Sequence, residues 1–284
     1  ILSITGTFFT AALIIVKLRC YVRITMLKVF GKDDYRMVVS MMFAAATFAC
    51  FVIGTHHGLG NHLPVPLMDA DMYKSFSKTL YVHSLLIMVG ISCVKISIAF
   101  SLLRLSATKR QTRFLQDAIL FIVAITLASA GTLPFQCFPV EAAWDSSLRP
   151  APFGSGSVRC FENTTFRDLG LMNSCDFQHN ITTDVLFATL PIPLIWKLHI
   201  NMRTKISLIV ILSLGWFASA AAIVKVAKQY TVLDDLDWTA HDSFNVWNYI
   251  ELTVGIIAAS LPALKPLFHW ALYTVSAFSS SGRT

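Results

Sequence analysis

Seven stretches of this chain are apolar enough, and each about long enough, to cross a lipid bilayer. They run near residues 1–17, 35–55, 80–103, 115–135, 179–197, 206–228 and 245–265. A spanning helix needs roughly 20 mostly apolar residues, because the hydrocarbon layer is about 30 Å thick and offers no partner to a free backbone amide. Each run is closed by charge, glycine or proline. Only 14% of the 284 residues are charged, against about 25% in soluble domains. A soluble sphere with so few charges would leave large apolar areas in water. Period-two alternation is missing, which speaks against a membrane barrel. No basic leader or small-residue cleavage site precedes the first run, so it reads as a true span. The expected fold is therefore all-α, a single seven-transmembrane helix bundle over 1–284.

Basic residues orient it. Lys17, Arg19, Arg23, Lys28, Lys32 and Arg36 flank the first loop. Arg104, Lys109, Arg110 and Arg113 follow the third span, and Lys197, Arg203 and Lys205 the fifth. The opposite loops hold fewer cations and most of the acids, among them Asp69, Asp71, Glu141, Asp145, Asp234, Asp235, Asp237 and Asp242. The positive-inside rule then sets the N-terminus outside and the C-terminus in the cytoplasm. The net charge of +7 is a topology signal and not a nucleic-acid footprint.

The outer loop 136–178 supports that orientation. It carries Cys137, Cys160, Cys175 and a glycosylation sequon at Asn163, features that require an oxidising exterior or lumen. A bridge between Cys137, at the end of the fourth span, and Cys160, in mid-loop, is the preferred pairing; the state of Cys175 stays open. Cys20, Cys50 and Cys93 lie in or at spans, where a free cysteine acts as a small apolar residue.

Several segments in order resemble the fungal rhodopsin-like family of receptor-like seven-helix membrane proteins, some of which sit in toxin gene clusters. They are Gly31-Lys32-Asp33-Asp34-Tyr35, Gly58-Leu59-Gly60-Asn61-His62, Lys95-Ile96-Ser97-Ile98, Leu103-Arg104-Leu105, Cys137-Phe138-Pro139-Val140 with Trp144-Asp145, Leu190-Pro191-Ile192-Pro193-Leu194 and Leu261-Pro262-Ala263-Leu264-Lys265-Pro266. The resemblance implies a plasma-membrane or endomembrane protein. No retinal is expected, since a Schiff base needs a lysine midway along the seventh span and residues 245–264 contain none. No other cofactor or metal is expected either: there is no Cys-x-x-Cys, and His56, His57 and His62 sit on a glycine-rich turn without helical ligand spacing. Coupling to a cytoplasmic signalling partner is an analogy with other seven-helix receptors.

Ionisable groups within a bilayer are costly and tend to face the bundle interior and pair. At about 1.5 Å per residue, His83, Asp184, Lys225 and Glu251 fall roughly 5–9 Å below the outer surface. Two readings follow. They form an outward polar pocket for a small ligand, with Tyr81 and Trp247 at the rim and Asn248 one turn from Glu251. Alternatively, Lys225 forms structural salt bridges to Asp184 or Glu251. Lys95 lies deeper. It either snorkels toward the inner surface beside Arg104 or reaches Asp33 or Asp34 to form an inner latch, a bistable element of the kind a receptor needs.

The expected function is a receptor-like sensor of a small extracellular or membrane-borne ligand. The competing expectation is a membrane-embedded enzyme of secondary metabolism, such as a cyclase using Asp184 and Glu251 as proton donors. A transporter is disfavoured, because no internal repeat is visible.

Overall fold

The computed structural model describes residues 1–60, 69–105, 109–132, 137–148, 158–160 and 242–264, with single positions 156, 220 and 267. The expected spans at 179–197 and 206–228 lie outside the described residues, as do Asn163 and Cys175. Five long helices are described: α1 (Leu2–Tyr21), α2 (Lys32–His56), α3 (Ala70–Leu105), α4 (Lys109–Thr132) and α5 (Ser243–Ser260). Helix α5 corresponds to the seventh apolar run. Helix α1 widens into a π-turn at Val22–Met26, and α5 tightens into a 3₁₀ turn at Leu261–Leu264. Each of the five is long and apolar enough to cross a membrane.

Local chemistry sets the helix ends. At the start of α2 the Asp34 carboxylate reaches back to accept the Gly31 amide at 3.0 Å. Asp33 and Asp34 also place negative charge where the helix dipole is positive. The far end of α2 is a Schellman closure. The Leu59 amide donates to the Gly54 carbonyl at 2.9 Å and the Gly58 amide to that of Thr55 at 3.3 Å. Gly58 sits at φ 104°, which an L side chain resists. Leu59, buried, packs back against Gly54.

Helices α1, α3 and α5 run one way and α2 and α4 the other. Antiparallel α3 and α4 meet through Thr126, whose hydroxyl donates to that of Ser92 at 2.7 Å, and through a small cluster of Ala99, Leu102, Leu115 and Ile122. Parallel α3 and α5 approach closely at two glycines: Gly90 faces Leu252, and Gly255 faces Val94. Small residues at such crossings suit a lipid solvent, where apolar burial between helices brings no hydrophobic gain and close contact must hold them.

The core is built round an aromatic chain. Phe9 stacks on Phe48 with centroids 5.0 Å apart. Phe51 meets Tyr249 edge-on at 5.5 Å. The Tyr249 hydroxyl donates to the Ala44 carbonyl at 3.2 Å, which satisfies a fully buried donor.

Two sequence expectations are corrected. Helix α3 starts at Ala70, ten residues before the apolar run, because its polar first turns stay helical beyond the hydrophobic stretch. Helix α4 is described as far as Thr132, and Cys137 is not helical: it opens a two-residue strand, β1 (Cys137–Phe138). That strand pairs antiparallel with β2 (Arg159–Cys160), and Cys137 stands opposite Cys160.

Candidate functional site

Two polar centres lie at opposite ends of the bundle. At the end where α2 finishes and α5 begins, a small pocket is lined by Cys50, Phe51 and Gly54 of α2, Phe76, Thr79, Leu80 and His83 of α3, Leu59, and Asp242. Its room is about that of one water molecule. His83 is 3% exposed. Phe51 packs against its ring edge-on, with centroids 4.7 Å apart. Neither ring nitrogen has a hydrogen-bond partner among the described residues. A buried imidazole without partners is unfavourable, because nothing replaces the water it gave up.

Asp242 caps α5 from a left-handed backbone conformation, φ 35°. Asn245 donates its side-chain amide to Asp242 Oδ1 at 2.8 Å. Oδ2 has no partner among the described residues. Burial pushes this carboxyl up from 3.8 to about 7, while the Asn245 side chain and backbone pull it down. The pocket therefore offers one acid and one imidazole in an otherwise apolar, aromatic-walled space.

The expected pocket and the observed one overlap in His83. Asp184 and Lys225 lie outside the described residues. Glu251 is 5% exposed and has a partner. It is not in the pocket lining. The Gly90–Leu252 and Val94–Gly255 contacts put Glu251 near the level of residue 90 of α3. His83 sits about two turns, on the order of 10 Å, nearer the pocket end. The shared level expected for His83 and Glu251 came from counting each residue from the start of its own helix, which ignores the stagger between helices: α3 begins at Ala70 and α5 at Ser243. Asn248 is buried and partnered, and Trp247 is partly buried against the core. Tyr81 turns elsewhere: its ring lies 5.3 Å from that of Trp144.

Trp144 belongs to a strap formed by residues 137–148. Lys78 lies over the Trp144 ring at 5.8 Å. Lys74 pairs with Asp145 at 2.5 Å. The Lys74 ammonium, with help from the Ser147 hydroxyl, holds the Asp145 carboxyl below its ordinary value. Residues 74, 78 and 81 share one face of α3, and 76, 80 and 83 the opposite one. The strap thus grips the back of the helix that presents His83.

At the other end, Arg19 is 2% exposed and joins three helices. Its Nε donates to Asp34 Oδ1 at 2.8 Å, Nη2 to Asp33 Oδ2 at 3.1 Å and Nη1 to the Ala259 carbonyl at 2.6 Å. Arg23 stands 3.7 Å from Asp33 and 3.6 Å from Asp34. Two acids thus meet two guanidiniums. Helix α3 joins through Ser97, whose hydroxyl donates to the Asp33 carbonyl at 3.2 Å. Lys95, one turn-half earlier in α3, is buried and has a partner. The Arg104 side chain lies outside the described residues. Sequence reading had counted Arg19 only toward topology and Asp242 only as an outer acid. The spacing of Arg19 and Arg23, one turn apart and facing an Asp-Asp helix start, was the available signal for the first. Nothing local marked the second.

Comparison with known proteins bears on what such a bundle does. The fungal rhodopsin domain matches residues 18–270. A "SAT4 family membrane protein" of Emericella nidulans is 27% identical over 231 residues, 80% of this chain and 55% of that protein. "Receptor GIN3" of Arthrobotrys oligospora is 33% identical over 113 residues, 37% of this chain and 27% of the receptor. "Polyenoic acids biosynthesis gene cluster protein Ba17b" of Metarhizium anisopliae is 21% identical over 275 residues, 92% of this chain and 71% of that protein. The chain thus spans about half the length of the first relative and about a quarter of the second. No solved structure matches.

Proposed function

On the premise that this chain belongs to the fungal rhodopsin domain family and is an integral membrane protein, we propose that it is a receptor-like sensor of a small ligand. The ligand enters from the outside or from the outer leaflet and places a single polar group, no larger than a water molecule, between His83 and Asp242, with the rest of it outside that cavity. The observation that carries this reading is a buried imidazole whose two nitrogens lack partners among the described residues, in a pocket shared with a half-satisfied carboxylate. Groups left in that state are what a ligand's donor and acceptor would complete. Asp184, Lys225, Trp247, Asn248 and Glu251 extend the proposed site inward.

Helix α5 couples the two ends. Asp242 caps it in the pocket, and Ala259, near its last turn, is held by Arg19. The proposed inner latch therefore has Arg19 at its centre, with Asp33 and Asp34 as its acids and Lys95 and Arg104 beside it. A ligand that shifts α5 would alter the Arg19–Ala259 bond and change the cytoplasmic face, where a signalling partner would read it. The proposal includes seven spans with the N-terminus outside, residence in the plasma membrane or an endomembrane, glycosylation at Asn163 and a Cys137–Cys160 bridge. Support for the bridge is the register that sets the two residues opposite one another.

One observation favours a second reading. A relative covering 92% of the chain is named for a polyenoic acid biosynthesis gene cluster. On that reading the protein is a membrane-embedded enzyme, with Asp184 and Glu251 as proton donors. Metabolite profiling of strains carrying His83→Phe or Glu251→Gln separates the two. The receptor reading predicts an unchanged metabolite profile and a lost response to an external chemical cue in the His83→Phe strain. Accumulation of a biosynthetic precursor in the Glu251→Gln strain, with the protein still present in the membrane, would contradict it.

A further inference from the structure

The linker between α1 and α2 carries a feature that neither the pocket nor the clasp of Arg19 and Arg23 on Asp33 and Asp34 uses. From Met26 to Phe30 every residue is exposed. Four of the five are large and apolar: Met26 39%, Leu27 41%, Val29 53% and Phe30 49%. Tyr21 and Ile24 extend this surface along the end of α1, and Lys17 stands one turn before Tyr21, also exposed. The segment is not a floppy connector. The Leu27 amide donates to the Val22 carbonyl at 2.9 Å and the Val29 amide to that of Arg23 at 3.0 Å. Lys28 itself occupies a left-handed turn, φ 51°.

Charge selects the partner. Among the described residues, the acids next in sequence after this linker, Asp33 and Asp34, are both bound by Arg19 and Arg23. They cannot neutralise the lysines, so the exposed surface presents Lys17 and Lys28 among apolar side chains. In water such a surface is unfavourable. At the boundary of a bilayer the same composition is favourable: apolar groups enter the acyl region while lysines meet headgroup phosphates. We propose that the α1–α2 linker, centred on Lys17, Lys28, Leu27 and Phe30, is a binding surface for acidic phospholipid of the cytoplasmic leaflet. Bound lipid would brace the linker that joins Arg23 to Asp33 and so bear on the clasp. The inference needs the bilayer but not the ligand pocket; it survives if the sensor reading fails.

The test is native mass spectrometry of the full chain, released from nanodiscs of mixed phosphatidylserine and phosphatidylcholine. The wild-type protein should retain phosphatidylserine preferentially, and rising salt should weaken that preference. Replacing exposed Lys17 and Lys28 by glutamine should lower the preference about fivefold per lysine, with thermal unfolding in detergent unchanged. A second variant, Leu27→Ser with Phe30→Ser, should lose retained lipid of both kinds. Equal retention of the two lipids by the wild type, or a preference untouched by the lysine replacements, would overturn the proposal. So would a cytosolic protein that shields Lys28 from acylation while no lipid is retained, since that assigns the surface to a protein partner.

Discussion

Arg19 shows how one side chain can organise one end of a membrane bundle. It neutralises two buried carboxylates and ends on a backbone carbonyl of a third helix. Removing one partner of such a group is far costlier than exchanging the whole group for apolar residues, because charge is left buried and unpaired. Arg19→Met should therefore destabilise the protein by about 3–5 kcal/mol. Adding Asp33→Asn and Asp34→Asn to that variant should recover part of the loss, and thermal unfolding in detergent reads both. Asp242 gives a pH dependence of definite sign. Its folded value, about 7, lies above the ordinary 3.8. The native state therefore holds the extra proton between these values, and stability falls as pH rises from about 4 through 7. Unfolding temperatures of the wild type and of Asp242→Asn, measured side by side across that range, isolate this contribution: the difference between them should move in the variant's favour as pH rises.

At the scale of elements, glycine does specific work. Gly58 closes α2 at φ 104°, and the closure seats Leu59 in the pocket wall. Gly58→Ala puts a Cβ into a left-handed conformation at a cost of about 1–2 kcal/mol. Its unfolding temperature should fall, while a change at exposed His56 should leave it unmoved. This motif was readable as a turn, since Gly58-Leu59-Gly60 interrupts an apolar run; that Leu59 folds back to line a pocket was not. The described helices fall where hydropathy put them, because length and polarity are local properties. Their ends shifted where polar residues stayed helical, as at Ala70, and the depth ruler for His83 failed because it counts from each helix's own start and ignores the stagger between helices. The clasp was half legible. Asp33 and Asp34 stood out as a doublet, but their partners could be chosen only once α1 and α2 were packed.

Over the whole molecule, the two polar centres gain meaning only from the way the chain crosses the bilayer. A pocket at the far end of α2 is a sensor's pocket if that end is outside. A basic, apolar linker at the near end is a lipid surface of the inner leaflet if that end is inside. Both conditions are the orientation proposed from the basic-residue asymmetry of the loops. Tag accessibility on cells tests it most directly, with one epitope inserted in the outer loop between residues 150 and 155 and another fused after Thr284. The account predicts that antibody stains the loop epitope on intact cells and the terminal epitope only after permeabilisation. Staining of the terminal epitope on intact cells, with the loop epitope hidden, would turn the pocket toward the cytoplasm and contradict the account.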